Sequence, residues 1–166
     1  EAIAYYMDPR NYLNEKYIFA FETLGYSENQ NTNVISSIIG SQNFWPSVYD
    51  YYKRVDAILD SKGNVSDDIV DASVKVGISA VHVASRIKQE ISGLQIGDSR
   101  IGGNFSYNGE NYSNYYNFFN IKSRCSNCSS IYAGYAFERS WNTPYKGIYG
   151  GASFMYDGYI SLNQDT

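Results

Sequence analysis

The stretch Ala80-Val81-His82-Val83-Ala84-Ser85-Arg86-Ile87-Lys88-Gln89-Glu90-Ile91 decides the fold. Val83, Ile87 and Ile91 recur every four residues, so they form one apolar stripe of a helix. His82, Arg86 and Glu90 recur at the same interval and form a second, ionisable stripe. Ser79 stands where a hydroxyl caps the helix start, and Gly93 stands where the helix should end. Glu90 falls in the last turn, where the negative end of the helix dipole favours a protonated carboxyl. A glycine-rich segment follows, so Glu90 can border a cleft. A carboxylic acid kept neutral at a cleft edge is what a glycosidase uses as its general acid. The same spacing also fits a plain solvated Arg86–Glu90 pair, and spacing by itself favours that pair.

Working outward, further helices are expected on both sides. Asp8 caps and Pro9 opens a first helix that carries Tyr17, Ile18, Phe21 and Leu24 and ends at Gly25. Val34 to Ile39 reads as a short helix closed by Gly40, and 48–61 as a longer one. Ser66 is expected to cap a helix running to Gly77, with Asp67 and Asp68 in its first turn. From Gly93 to Asn120 the pattern turns to Gly, Asn, Ser and Tyr. It reads as irregular loop with one hairpin at Asn108-Gly109, a strong turn dipeptide. Helices resume over 131–139 and 143–156. The expected class is mainly α (α+β).

Composition bounds the function. The 166 residues are 43% hydrophobic and 18% charged, with a net charge of -4. That balance argues against a disordered tail and against a protein that grips nucleic acid through phosphates. No apolar run is long enough to span a bilayer. The unusual number is 18 Tyr, against 8 Phe and 2 Trp. Such amphipathic ring surface suits stacking on sugars or peptides as well as a core that uses Tyr in place of Phe. Cys125 and Cys128 form a lone C-x-x-C, and His82 is the only histidine, so a zinc site lacks its four ligands. A short disulfide and two free thiols both remain open. No metal and no cofactor is expected.

Four stretches carry a resemblance. They are Tyr6-Met7-Asp8-Pro9-Arg10-Asn11-Tyr12-Leu13-Asn14-Glu15; His82 to Glu90; Asn114-Tyr115-Tyr116-Asn117-Phe118-Phe119-Asn120-Ile121; and Trp141 to Ala152 leading to Asn163-Gln164-Asp165-Thr166. In this order the chain resembles the catalytic domain of the family-73 glycoside hydrolases, the peptidoglycan glucosaminidases of bacterial autolysins and phage lysins. The resemblance implies a lysozyme-like helical fold with a small β-hairpin lobe beside the active-site groove. It implies one catalytic domain over 1–166, cut from a longer secreted or wall-associated bacterial protein, since no signal peptide is readable at Glu1. It implies an endo-β-N-acetylglucosaminidase that hydrolyses the β-1,4 bond between N-acetylglucosamine and N-acetylmuramic acid, acting on glycan strands as a monomer. Glu90 takes the position of the general acid. Glu110 is the candidate second carboxylate, with Asp98 and Asp165 behind it. Tyr115, Tyr116, Asn117, Phe119, Trp141 and Tyr145 are the candidate sugar contacts. The rivals are a lytic transglycosylase of the same fold and a glycan-binding module without turnover.

Overall fold

Each helix begins at a side chain that satisfies backbone N–H groups left without partners by the helix geometry. The computed structural model describes residues 23–40, 64–122 and 129–162. Helix α1 (Thr32–Ile39) starts at Asn31, whose side chain accepts from the N–H groups of Asn33 and Val34, and it closes at Gly40 as expected. Helix α2 (Val65–Val76) ends at the left-handed Gly77, also as expected. Its cap differs from the reading: Asn64 accepts from the N–H of Asp67, while Ser66 lies buried inside the first turn. Helix α3 (Ala80–Ile91) starts at Ser79, whose hydroxyl accepts from the N–H of His82. Its other end is Ser92 rather than Gly93. Helices α4 (Ser129–Glu138) and α5 (Pro144–Gly158) follow, the second capped by Thr143. A 3-10 turn covers Ile160–Leu162.

The expected helix starting at Pro9, the one over 48–61, Cys125 with Cys128, and Asp165 lie outside the described residues. Among the described residues no helix is long and apolar enough to cross a membrane.

The apolar stripe of α3 is the centre of the core. Val83, Ala84, Ile87 and Ile91 are fully buried, together with Ile35 of α1, Ile69 and Ala72 of α2, and Ile148 and Ala152 of α5. α2 packs on α1, α3 and α5, and α1 packs on α3. The start of α3 is pinned by an antiparallel bridge between Gly25 and Ile78. It is also pinned by Gln30, whose side-chain oxygen accepts from the buried N–H of Ala80 at 2.7 Å.

The β-lobe is the hairpin expected at Asn108-Gly109. Strand β1 (Phe105–Tyr107) pairs antiparallel with β2 (Glu110–Tyr112), and Tyr107 stands opposite Glu110. Both turn residues have positive φ, 52° and 87°. That is the twist a two-residue hairpin turn needs, and Asn and Gly tolerate it best. The hairpin rests on α4 through rings: Tyr107 and Tyr112 lie 5.9 and 4.3 Å from Phe137. Tyr107 also donates its hydroxyl proton to Glu138.

Along α5, glycines replace side chains where the core loop crosses. A Cβ at Gly147 would meet the Tyr116 backbone, one at Gly150 the Trp141 ring, and one at Gly151 the Phe119 ring. Gly151→Ala is expected to destabilise the protein by about 1–3 kcal/mol, because overpacking forces neighbours out of place. Thermal unfolding would show a lowered midpoint; an unchanged or raised midpoint would mean that Phe119 has room to retreat.

Candidate active site

Asn117 sets the geometry around Glu90. It is fully buried. Its side-chain amide donates to the carbonyls of Ile121 and Tyr132, at 3.1 and 3.0 Å. Its side-chain oxygen accepts from the N–H of Ile121 at 3.1 Å, and its own N–H donates to the carbonyl of Arg100 at 2.8 Å. These bonds close the turn 117–121 and put Asn120 into the left-handed region, φ 49°. Asparagine accepts that conformation more readily than most side chains.

Asn120 therefore reaches the end of α3. Its side-chain amide donates to the Glu90 carbonyl at 3.0 Å and to Glu90 Oε2 at 3.1 Å. The other carboxylate oxygen, Oε1, lies 2.9 Å from Arg86 Nη2, with the Glu90 side chain 24% exposed. The i, i+4 pair thus forms. Glu90 is nonetheless half-buried and held on both oxygens, one from its own helix and one from the loop 30 residues on. Arg86 and His82 continue the stripe into a hollow of about 330 Å³ closed by Phe119, Phe154, Met155 and Tyr159. Burial first, and then the Arg86 charge, hold the His82 imidazole below its usual range, so it is neutral at pH 7.

Beyond Asn120 stands a second ion pair. Arg100 Nε and Nη2 donate to the two oxygens of Asp98, each at 2.8 Å, and the Arg100 N–H adds a third bond at 2.9 Å. Burial pushes the Asp98 carboxyl up, but the hydrogen bonds from Arg100 together outweigh it and hold the carboxyl below the usual carboxylate range. Asp98 is a bidentate anchor for Arg100, which spends the lone pairs a base would use. Arg100 Nη1 in turn lies 3.5 Å from the Asn120 side-chain oxygen.

The remaining candidates fall into three places. Glu110 is exposed on β2, beside a hollow of about 530 Å³ lined by Asn104, Ser106, Asn111 and Tyr112. Tyr115 is half-buried between Phe105 and Phe137, ring centroids 6.0 and 5.2 Å away. Tyr116, Asn117 and Phe119 belong to the core. For Asn117 this corrects the reading as a sugar contact, because its amide is spent on buried backbone groups and none of it faces a ligand. Tyr116 and Phe119 are 2% and 6% exposed and lie over Gly147 and Gly151, and Phe119 also lines the hollow beside Arg86. Trp141 and Tyr145 line a separate cavity of about 490 Å³ on the first half of α5.

Asn120 is the site residue that sequence reasoning passed over. A left-handed Asn closing the run Asn117 to Ile121 was its signal. Among the described residues no cluster of His, Cys, Asp and Glu could hold a metal ion.

Comparison with solved structures bears on the fold. Glucosaminidase B of S. aureus superposes on 96% of this chain with a TM-score of 0.68 at 22% identity. This chain has its fold. The crystal structure titled Major Bifunctional Autolysin superposes on the whole chain with a TM-score of 0.60 at 18% identity. The chain spans 55% and 57% of those two structures, a little over half of each. No protein-family model and no curated protein matches the sequence. The helical body with its small antiparallel lobe is thus the architecture that the resemblance implied.

Two outcomes test this geometry. Asn117→Leu strands three buried backbone groups, and each unmet bond costs about 1–3 kcal/mol. A melting point lower by at least roughly 4 °C is expected for a chain of this size; an unchanged one would remove Asn117 from its central place. For Asp98, the folded carboxyl titrates below its unfolded value near 3.8. Its contribution is therefore present above about pH 4 and lost as pH falls through the folded value. Asp98→Asn is expected to lower stability at pH 7 and to flatten the acid limb of the stability–pH curve; equal slopes for both proteins would contradict the pairing.

Proposed function

We propose that the protein is a peptidoglycan endo-β-N-acetylglucosaminidase with Glu90 as general acid. The observation that carries this is the position of Glu90: a half-buried carboxyl at the end of α3, gripped by Asn120, in a fold shared with glucosaminidase B. The cut bond is the β-1,4 link after N-acetylglucosamine, and the glycan strand of the bacterial wall is the partner.

The chemistry asks three things of these residues. Glu90 delivers a proton to the departing glycosidic oxygen. Asn120 keeps the carboxyl in one rotamer, so the proton points one way; a fixed donor is worth more than a mobile one because its ordering is complete before the reaction. Arg86 orders the carboxyl from the other side: its Nη2 lies 2.9 Å from Oε1, and the guanidinium is itself held by Gln89, whose side-chain oxygen accepts from Nη1 at 2.9 Å.

Glu110 serves as the second carboxylate only where its oxygen comes within about 6.5–9.5 Å of Glu90, the span that leaves room for an attacking water. Without it, the acetamide carbonyl of the substrate attacks the anomeric carbon itself, the substrate-assisted route. The hairpin carries Glu110 at its exposed edge, opposite Tyr107.

The test is Glu90→Gln, assayed on purified cell walls by the appearance of reducing ends. Loss of a general acid costs about 10²–10⁴-fold in rate. A drop of that size with unchanged circular dichroism is expected; a rate within threefold of the parent defeats the proposal. Mass spectrometry of the products separates the related chemistry: reducing N-acetylglucosamine ends are expected, and 1,6-anhydromuramic ends would make the protein a lytic transglycosylase. Glu110→Gln discriminates the two routes, with a loss above tenfold for a water-activating Glu110 and a small change for the substrate-assisted route.

A further inference from the structure

Neither Glu90 nor Asn120 is among the described residues that line the cavity on the first half of α5. Its volume is about 490 Å³, and its wall carries Lys75, Arg139 and Lys146 beside Trp141, Tyr145 and Tyr149. Among the described residues no acidic side chain lines it. That is unexpected in a chain with 17 acidic and 13 basic residues.

The three cations are not equivalent. Lys75 is neutralised by Asp71 at 2.7 Å and donates to the Tyr145 hydroxyl at 2.8 Å, which in turn donates to Asp71. Arg139 and Lys146 have no carboxylate in ion-pair range among the described residues. Both are already positioned. The Arg139 guanidinium lies 3.7 Å over the Tyr135 ring, and Lys146 Nζ donates to the Asn142 side chain at 3.0 Å. Ordered cations lose little freedom when an anion arrives between them.

The aromatic wall offers the complementary surface. Tyr149 is 39% exposed and stacks on Tyr145 with centroids 6.2 Å apart and planes 23° from parallel. A flat, half-exposed ring takes the C–H face of a pyranose. Lys146, three residues from that ring, and Arg139 on the same cavity wall take a negative group on the same sugar.

We propose that this cavity binds an anionic saccharide, a sugar bearing a carboxylate or a phosphate, independently of Glu90. The ring lies against Tyr149 and the anion between Arg139 and Lys146. Independence follows from placement. The cavity uses Tyr145, Lys146, Tyr149 and Gly150 of α5, whereas the hollow that reaches Arg86, next to Glu90, uses Phe154 and Met155. Two sources supply this chemistry in a bacterial wall: the carboxylate of a muramic-type sugar freed of its stem peptide, or the phosphate of a phosphodiester-linked polymer.

The experiment is calorimetric titration of the whole chain with N-acetylmuramic acid, sn-glycerol 3-phosphate and neutral N-acetylglucosamine. The parent, Glu90→Gln, Arg139→Glu/Lys146→Glu and Tyr149→Ala are compared. Saturable binding of at least one anionic probe is expected, weakened more than tenfold by the double reversal and unchanged in Glu90→Gln. Preference for the muramic probe assigns the peptide-free muramic sugar as source, and preference for glycerol phosphate assigns the phosphodiester polymer; either supports the site. Should the double variant fail to fold, Tyr149→Ala and salt carry the test. Binding should weaken in Tyr149→Ala for the muramic probe, and for any anion at about 1 M salt, where charges are screened beyond roughly 3 Å. No binding of either anionic probe, binding that ignores both variants and salt, or binding lost in Glu90→Gln overturns the proposal. Wall hydrolysis plays no part in this readout, so it fails or succeeds apart from the assignment of Glu90.

Discussion

One buried asparagine, Asn117, organises the irregular part of the molecule around Glu90. Asn117 makes bonds that ordinary backbone would need a strand or helix to make, and it makes them where neither exists. It joins the start of the loop to its end at Ile121, to α4 through Tyr132, and to the segment before the hairpin through Arg100. A buried polar group satisfied on every side is costly to disturb, because removing it strands each of its partners. The irregular turn 117–121 is thereby tied to the elements around it. Asn120 and Glu90 meet because of it.

The Glu90 carboxyl is held from two sides that are far apart in sequence. Arg86 of its own helix meets one oxygen, and the Asn120 amide of the loop meets the other. The neutral His82 one turn further back adds no competing charge. The stripe His82, Arg86, Glu90 therefore reads as one cation between an imidazole and a carboxyl.

Much of the helical framework was readable from caps and periodicity. Ser79, Gly40 and Gly77 do what their residue types permit, and Asn108-Gly109 makes the turn its φ values require. Ser66 misled because a hydroxyl near a helix start looks like a cap whether it faces the N–H groups or the core; Asn64, two residues earlier, was the better acceptor. The candidate site was legible only in part. Glu90 stands out because a helix end fixes it, and helix ends are local. The tyrosines and Asn117 do not, because burial is a property of the tertiary fold. The string Tyr116 to Phe119 has the composition of a sugar-binding strip and the environment of a core. Arg139, Lys146 and Tyr149 were overlooked for the converse reason: on the surface each is ordinary, and only tertiary packing brings them to one cavity wall with Lys75 of α2.

The glycines of α5 carry a kinetic implication. Each glycine inside a helix costs about 1 kcal/mol relative to alanine. Gly147, Gly150 and Gly151 therefore leave α5 a poor helix when it stands alone. What compensates is what lies against its bare backbone: the main chain of Tyr116 and the rings of Trp141 and Phe119. A segment stable only when its template is present should form late, condensing onto the assembled loop rather than nucleating it. Order would then propagate from Asn117 outward, with the last long helix as the closing latch of the domain.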